Sequence, residues 1–134
     1  MNTCAKAFTD NLDAKDLNYK VRELDDETLV IFPYENRETT FVFAGDNGEY
    51  VQMMTVIESM GSDEKFVEAV MVCNQQNRRF RFVKFVVDDD NDVMALSDAI
   101  LDTNSAGDEC FELLVRSLKI IKEARPQIMK VIYS

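Results

Sequence analysis

The 134-residue chain contains no histidine. That removes the commonest general base, the commonest zinc ligand and every Ser/His or Cys/His nucleophile pair, and with them most familiar hydrolase mechanisms. Its three cysteines, Cys4, Cys73 and Cys110, are odd in number and far apart, with none in the close pairs of a metal or redox motif, so they read as reduced packing residues. The four glycines, Gly45, Gly48, Gly61 and Gly107, are scattered, which leaves no glycine-rich phosphate loop and no support for nucleotide chemistry. No apolar run approaches the roughly 20 residues that span a bilayer, and Met1 to Asp13 shows no basic leader followed by an apolar stretch. A cytoplasmic location is expected. Repeats, low-complexity tracts and Pro/Gly/Ser-rich linkers are missing too, so the chain is expected to form one domain, 1–134.

Charge of one sign is in excess. Twenty-five acids against 15 bases give a net charge of −10, a field that repels phosphate polyanions and anionic headgroups. Nucleic acid and membrane surfaces are therefore disfavoured partners. The apolar share of 46% is that of an ordinary globular protein, so order is expected nearly throughout.

Phe8 and Leu12 share a helical face behind Thr3, a candidate N-cap, which predicts a short helix ending near Ala14 to Asp16. From Asn18 to Glu58, β-branched and aromatic residues are broken by Asp25-Asp26, Glu35-Asn36-Arg37 and Asn47-Gly48, predicting a four-stranded meander. Asn47-Gly48 suits a two-residue turn with positive φ at both positions. Ser62 is a candidate cap for a second helix, with Asp63 and Glu64 in its first turn, Phe66, Val67, Val70, Met71 and Asn74 at helical spacing, and an end by Arg78. Arg79 to Val87 reads as a strand, Asp88 to Asp92 as a turn and Val93 to Leu101 as the returning strand. Val93, Leu96, Ser97 and Ile100 also fit one helical face, but the preceding turn favours a hairpin. Ser105 or Asp108 caps a last helix striped by Phe111, Leu114, Val115, Leu118 and Ile121, which Pro126 should kink or end, leaving Ile128, Met129 and Ile132 as a second piece or docking tail. The fold class is thus α+β, an antiparallel sheet with helices in the order α-β-β-β-β-α-β-β-α.

If Asp25-Asp26, Asn36-Arg37 and Asn47-Gly48 each form a two-residue turn, the registers sort side chains onto two faces. One collects Tyr19, Val21, Val30, Phe32, Phe41, Phe43, Met54 and Val56, the expected core. The other collects Leu29, Ile31, Val42, Val51 and Met53, bordered by Lys20, Arg22, Thr40 and Thr55. An apolar strip with a polar rim marks a partner surface unless the last helix covers it.

Three motifs have plainer explanations. Arg78-Arg79-Phe80-Arg81-Phe82-Val83-Lys84-Phe85 is similar to the aromatic-basic strand of RNA-recognition domains, but arginines replace its two glycines and the net charge opposes RNA. Asp88-Asp89-Asp90-Asn91-Asp92 starts like a calcium loop, yet Val93 and Ala99 stand where glycine and the bidentate glutamate belong, so an acidic hairpin turn fits better. Ser62-Asp63-Glu64-Lys65 has serine–lysine spacing without companion motifs, and helix capping accounts for it.

The element order resembles that of the YbjN-like family of bacterial sensory-transduction regulators, which shares the fold of type III secretion chaperones. The most specific stretch is Cys73-Asn74-Gln75-Gln76-Asn77-Arg78-Arg79-Phe80, similar to the family's Asn-x-x-Asn helix end. The segment Leu12 to Phe32, a short helix, a Tyr-containing strand and an acidic hairpin, is also similar. The resemblance implies a non-enzymatic, commonly dimeric domain whose relatives bind proteins or influence regulation, with no catalytic residue to carry over.

The expected function is accordingly a protein-binding module of chaperone-like or regulatory character. It should act as a homodimer through an apolar sheet face carrying Leu29, Ile31, Val42, Val51 and Met53, or through a helix surface, and hold a protein client with no cofactor or metal. The alternatives are a single-stranded RNA-binding domain using Arg78, Arg79, Phe80, Phe82 and Phe85, and an enzyme working by carboxylates alone, for which no spacing selects a pair.

Overall fold

A computed structural model describes residues 1–134. Its elements are α1 (Thr3–Ala14), β1 (Lys20–Glu23), β2 (Thr28–Tyr34), β3 (Arg37–Ala44), β4 (Tyr50–Ser59), α2 (Phe66–Arg79), β5 (Lys84–Val87), β6 (Asp92–Ile100) and α3 (Ala106–Ile132). The expected α+β order is present. The strands form one antiparallel sheet in the order β1-β2-β3-β4-β6-β5, so Val93 to Ile100 is strand and not helix.

Turn chemistry decides which residues face inward. Leu24 N–H donates to Glu27 O at 2.8 Å around Asp25-Asp26, the expected register for β1 and β2. Between β2 and β3 the turn is Glu35-Asn36, both left-handed (φ 49° and 64°), one residue earlier than expected. Pairing thereby shifts by two residues, which leaves every side chain on its expected face. The β3–β4 connection differs in kind. Ala44 pairs with Tyr50, so residues 45–49 form a five-residue loop in which Gly45 and Gly48, not Asn47, take positive φ. The odd slip turns β4 over: Val51 and Met53 are buried at 2% and 0% exposure, while Met54 and Val56 go to the other face.

The reason for the longer loop lies in α1. Asn2, rather than Thr3, caps that helix, accepting from Ala5 N–H at 3.0 Å through Oδ1 and donating to Phe43 O at 3.0 Å through Nδ2. A Cβ on Gly48 would lie 2.0 Å from Asn2 Oδ1, so the helix start sits where only glycine leaves room.

All three helices cover one face of the sheet. Phe8 and Leu12 of α1 meet Val30, Phe41, Phe43, Met53 and the first half of α3 in one cluster, with Phe8 and Phe41 ring centroids 4.7 Å apart. Burying each such ring contributes on the order of 1.5–3 kcal/mol. Ala69, Val72 and Cys73 of α2 meet Val83, Phe85, Val93, Ala95 and the second half of α3 in another. The α3 helix serves both because it runs unbroken through Pro126. The ring lacks the N–H that would bond the Lys122 carbonyl, but burial of Ala124, Ile128 and Ile132 on either side holds the helix together against the break expected from sequence.

Two further expectations are corrected. The α2 helix starts at Phe66 with no side-chain cap, since Ser62 reaches only Glu64 N–H in a preceding turn, and its buried stripe is Ala69, Val72, Cys73 and Gln76. Phe66, Val67, Val70 and Met71 stay exposed. The predicted strand from Arg79 is confined to Lys84–Val87, because α2 runs on to Arg79 and Phe82 turns the chain at φ 74°.

Candidate functional site

Strand alternation places Leu29, Ile31, Val42, Met54, Met94 and Leu96 together on the face that no helix covers. Each is partly exposed, and Val56, Val86, Tyr50 and Ile100 extend the patch with Ile100 at 76% exposure. Of the five residues expected to form this surface, Leu29, Ile31 and Val42 lie on it. Val51 and Met53 are in the core beneath, and Met54 and the β6 residues Met94 and Leu96 occupy the places they were expected to fill. Shallow depressions of about 660 Å³ and 570 Å³ flank the centre, one around Thr40, Met54 and Met94, the other around Val42, Gln52 and Ile100.

Charge on this face is small. Lys20 and Arg22 stand against Glu27, Glu38, Asp92 and Asp98, with Lys20 Nζ 3.6 Å from Glu38 and Gln52 Nε2 donating to Asp98 at 2.9 Å, while the Lys84 ammonium turns round the sheet edge to the end of α2. Few charges lie here, and most of the chain's net −10 lies elsewhere.

The exposed residues of α2 form a second apolar strip. Phe66, Val67, Val70 and Met71 recur at helical spacing, the same pattern a buried stripe shows. The motif that ends α2 has a structural role: Asn77 Oδ1 accepts from Phe85 N–H at 2.6 Å and its Nδ2 donates to Phe85 O at 3.0 Å. A side-chain amide thus pairs with the outer edge of β5, while Lys84 Nζ caps the carbonyls of Asn77 and Phe80 at 3.0 Å each.

The basic-aromatic segment divides. Arg79 lies over Phe80 at 4.6 Å and Arg116 over the exposed Phe82 at 4.3 Å, but Phe85 is buried in the core. Its aromatics do not make one stacking platform. In the acidic turn, Asp88 Oδ1 accepts from Asp90 and Asp92 N–H at 3.0 and 2.9 Å, the ordinary work of an Asx turn. No three His, Cys, Asp or Glu side chains gather as metal ligands. Burial raises the Cys73 thiol to about 11 and Cys110 further still, so both stay protonated at neutral pH.

A smaller cavity of about 170 Å³, not anticipated from sequence, lies between α3 and the tip of the β2–β3 hairpin, lined by Arg37, Lys122 and Arg125 among others.

An antiparallel six-stranded sheet with one layer of helices and one uncovered face defines an α+β module built around its sheet. The YbjN family model, described as "Putative bacterial sensory transduction regulator", matches residues 7–128, and the chain belongs to that family. The fold is similar to that in the crystal structure of an uncharacterized protein from Methanothermobacter thermautotrophicus, with a TM-score of 0.59 at 16% identity over 97% of this chain and 96% of that one. No curated protein matches the chain. No helix is long and apolar enough to cross a membrane.

Proposed function

We propose that this chain is a non-enzymatic, protein-binding regulatory module of the cytoplasm whose uncovered sheet face receives a second copy of the chain. The observation that carries this reading is the apolar centre formed by Ile31, Val42, Met54 and Leu96 on a face that holds few charges. Two copies of a chain with net charge −10 repel one another, and they meet at least electrostatic cost where each carries few charges. Five inter-strand steps of about 4.8 Å make the face about 24 Å wide, and strands of about seven residues at about 3.3 Å each make it about 23 Å long, an area of about 550 Å², the same order as the roughly 800 Å² per partner of a standard interface. Met54 and Met94 have the adaptable side chains that favour exchange between a second copy and a client, which gives the module its chaperone-like or regulatory character.

A second reading rests on Phe66, Val67, Val70 and Met71, where α2 itself offers the contact. A dilution series monitored by methyl NMR separates the two. Concentration-dependent shifts at Ile31, Met54 and Leu96 support the sheet face, shifts at Val67 and Met71 transfer the interface to α2, and no shifts at either end the self-association reading.

A further inference from the structure

The cavity between α3 and the β2–β3 hairpin gathers positive charge in a strongly acidic protein. Arg37, Lys122 and Arg125 line it against the single carboxylate of Glu35, a local excess of two positive charges. Glu35 offsets Arg37 only loosely, its Oε2 standing 3.9 Å from Nη2. Arg37 Nη1 and Arg125 Nε are both buried and meet no protein acceptor. Buried polar atoms nearly always have a partner, and leaving one unpaired costs about 1–3 kcal/mol, more when the group is charged. The two residues that carry these donors line one cavity beside a lysine that repels both, and positive charge gathered in this way calls for an anion. Acids abound in this sequence, yet none other than Glu35 lines the cavity, so the chain does not neutralise the site itself.

The size and donor chemistry narrow the ligand. At about 170 Å³ the cavity is far larger than one water needs and below the roughly 300–1,000 Å³ of sites for drug-sized molecules. Its inner wall includes the buried Thr39 and Thr55, whose hydroxyl side chains add polar character beside the cations; Thr55 Oγ1 already donates to Glu38 O at 2.9 Å. Three cations from two different elements suit a compact, doubly charged oxyanion better than a monocarboxylate, and guanidinium geometry is matched to phosphate oxygens. We infer that this cavity binds a phosphate group, carried by free inorganic phosphate or by a small phosphomonoester. The chain's overall charge works against anion approach, so binding is governed by contacts within the cavity and not by long-range steering. The site lies on the helix-covered side of the sheet, and it stands or falls independently of the proposed self-association.

The test titrates the full chain with inorganic phosphate, and separately with glycerol phosphate, against chloride at equal ionic strength, following side-chain and amide NMR signals near Arg37 and Arg125. The expected result is a saturable response to phosphate that chloride does not reproduce. Lys122 is exposed, so K122Q should fold normally and bind about tenfold more weakly, with R125Q weaker again, as loss of a charged hydrogen bond predicts. Binding of inorganic phosphate alone identifies the free ion as the ligand, whereas equal or tighter binding of glycerol phosphate identifies the monoester. Absence of a saturable response, or one that K122Q and R125Q leave unchanged, overturns the assignment.

Discussion

The same strands build two unlike faces. On the covered side, Phe41, Phe43, Met53 and Val30 are fully enclosed by α1 and α3. On the other, Ile31, Val42 and Met54, their immediate neighbours in sequence, have only one another for cover. Both sets are apolar, so hydrophobicity alone does not distinguish core from surface in this protein; the presence of a helix above the residue does. An apolar strip without its layer is what a partner surface looks like.

Substitutions in adjacent residues sharpen that contrast. Met53→Lys places an ammonium in an enclosed core with no counter-charge, and should abolish the cooperative unfolding transition, since an unpaired buried charge costs on the order of 3–5 kcal/mol or more. Met54→Lys, one residue on, should change stability by only about 0.5 kcal/mol in urea denaturation at a concentration low enough to keep the chain monomeric. Equal damage from the two would mean that the register of β4 is wrong. Phe41→Ala removes a ring packed against Phe8 and should cost about 3–5 kcal/mol, measured the same way.

Smaller effects probe the edge and the buried thiols. Asn77→Ala strips both partners from Phe85 and should lower stability by about 1–3 kcal/mol while speeding exchange of the Phe85 amide. Unchanged exchange would show that the side-chain pairing does not protect this edge. For Cys73, the folded thiol is pushed up from 9.0 to about 11. The unfolded chain therefore loses its proton first as pH rises, so this contribution is complete below pH 9 and declines through about 11. Stability measured across that window should fall, and a Cys73→Ala chain should show a shallower slope.

Much of the fold was legible from the sequence because turn residues punctuate it. Asp25-Asp26 and the Glu35-Asn36 region fixed the faces of β1 to β3, and even a misplaced turn did no harm when the error was two residues. The β3–β4 loop was not legible in the same way. Asn47-Gly48 has the chemistry of a tight turn, but Gly48 is needed for the approach of Asn2, a contact between segments distant in sequence. That single slip exchanged Val51 and Met53 for Met54 and Val56. The inward face of α2 was not legible either. Its larger apolar residues face out and its small ones in, where Ala69, Val72 and Cys73 share a cluster with Phe85 and Ala95. The basic cavity was invisible to pattern reading, since Arg37 and Arg125 are brought together only by the packing of α3 on the hairpin.

The central claim is that the uncovered sheet face joins two copies of the chain. It is tested most directly by light scattering across a concentration series, on the native chain and on a chain carrying Ile31→Glu and Met54→Glu. The account predicts that the native chain approaches twice its monomer mass while the doubly substituted chain stays folded and monomeric at every concentration. A native chain that remains monomeric throughout, or a substituted chain that still dimerises, would contradict it.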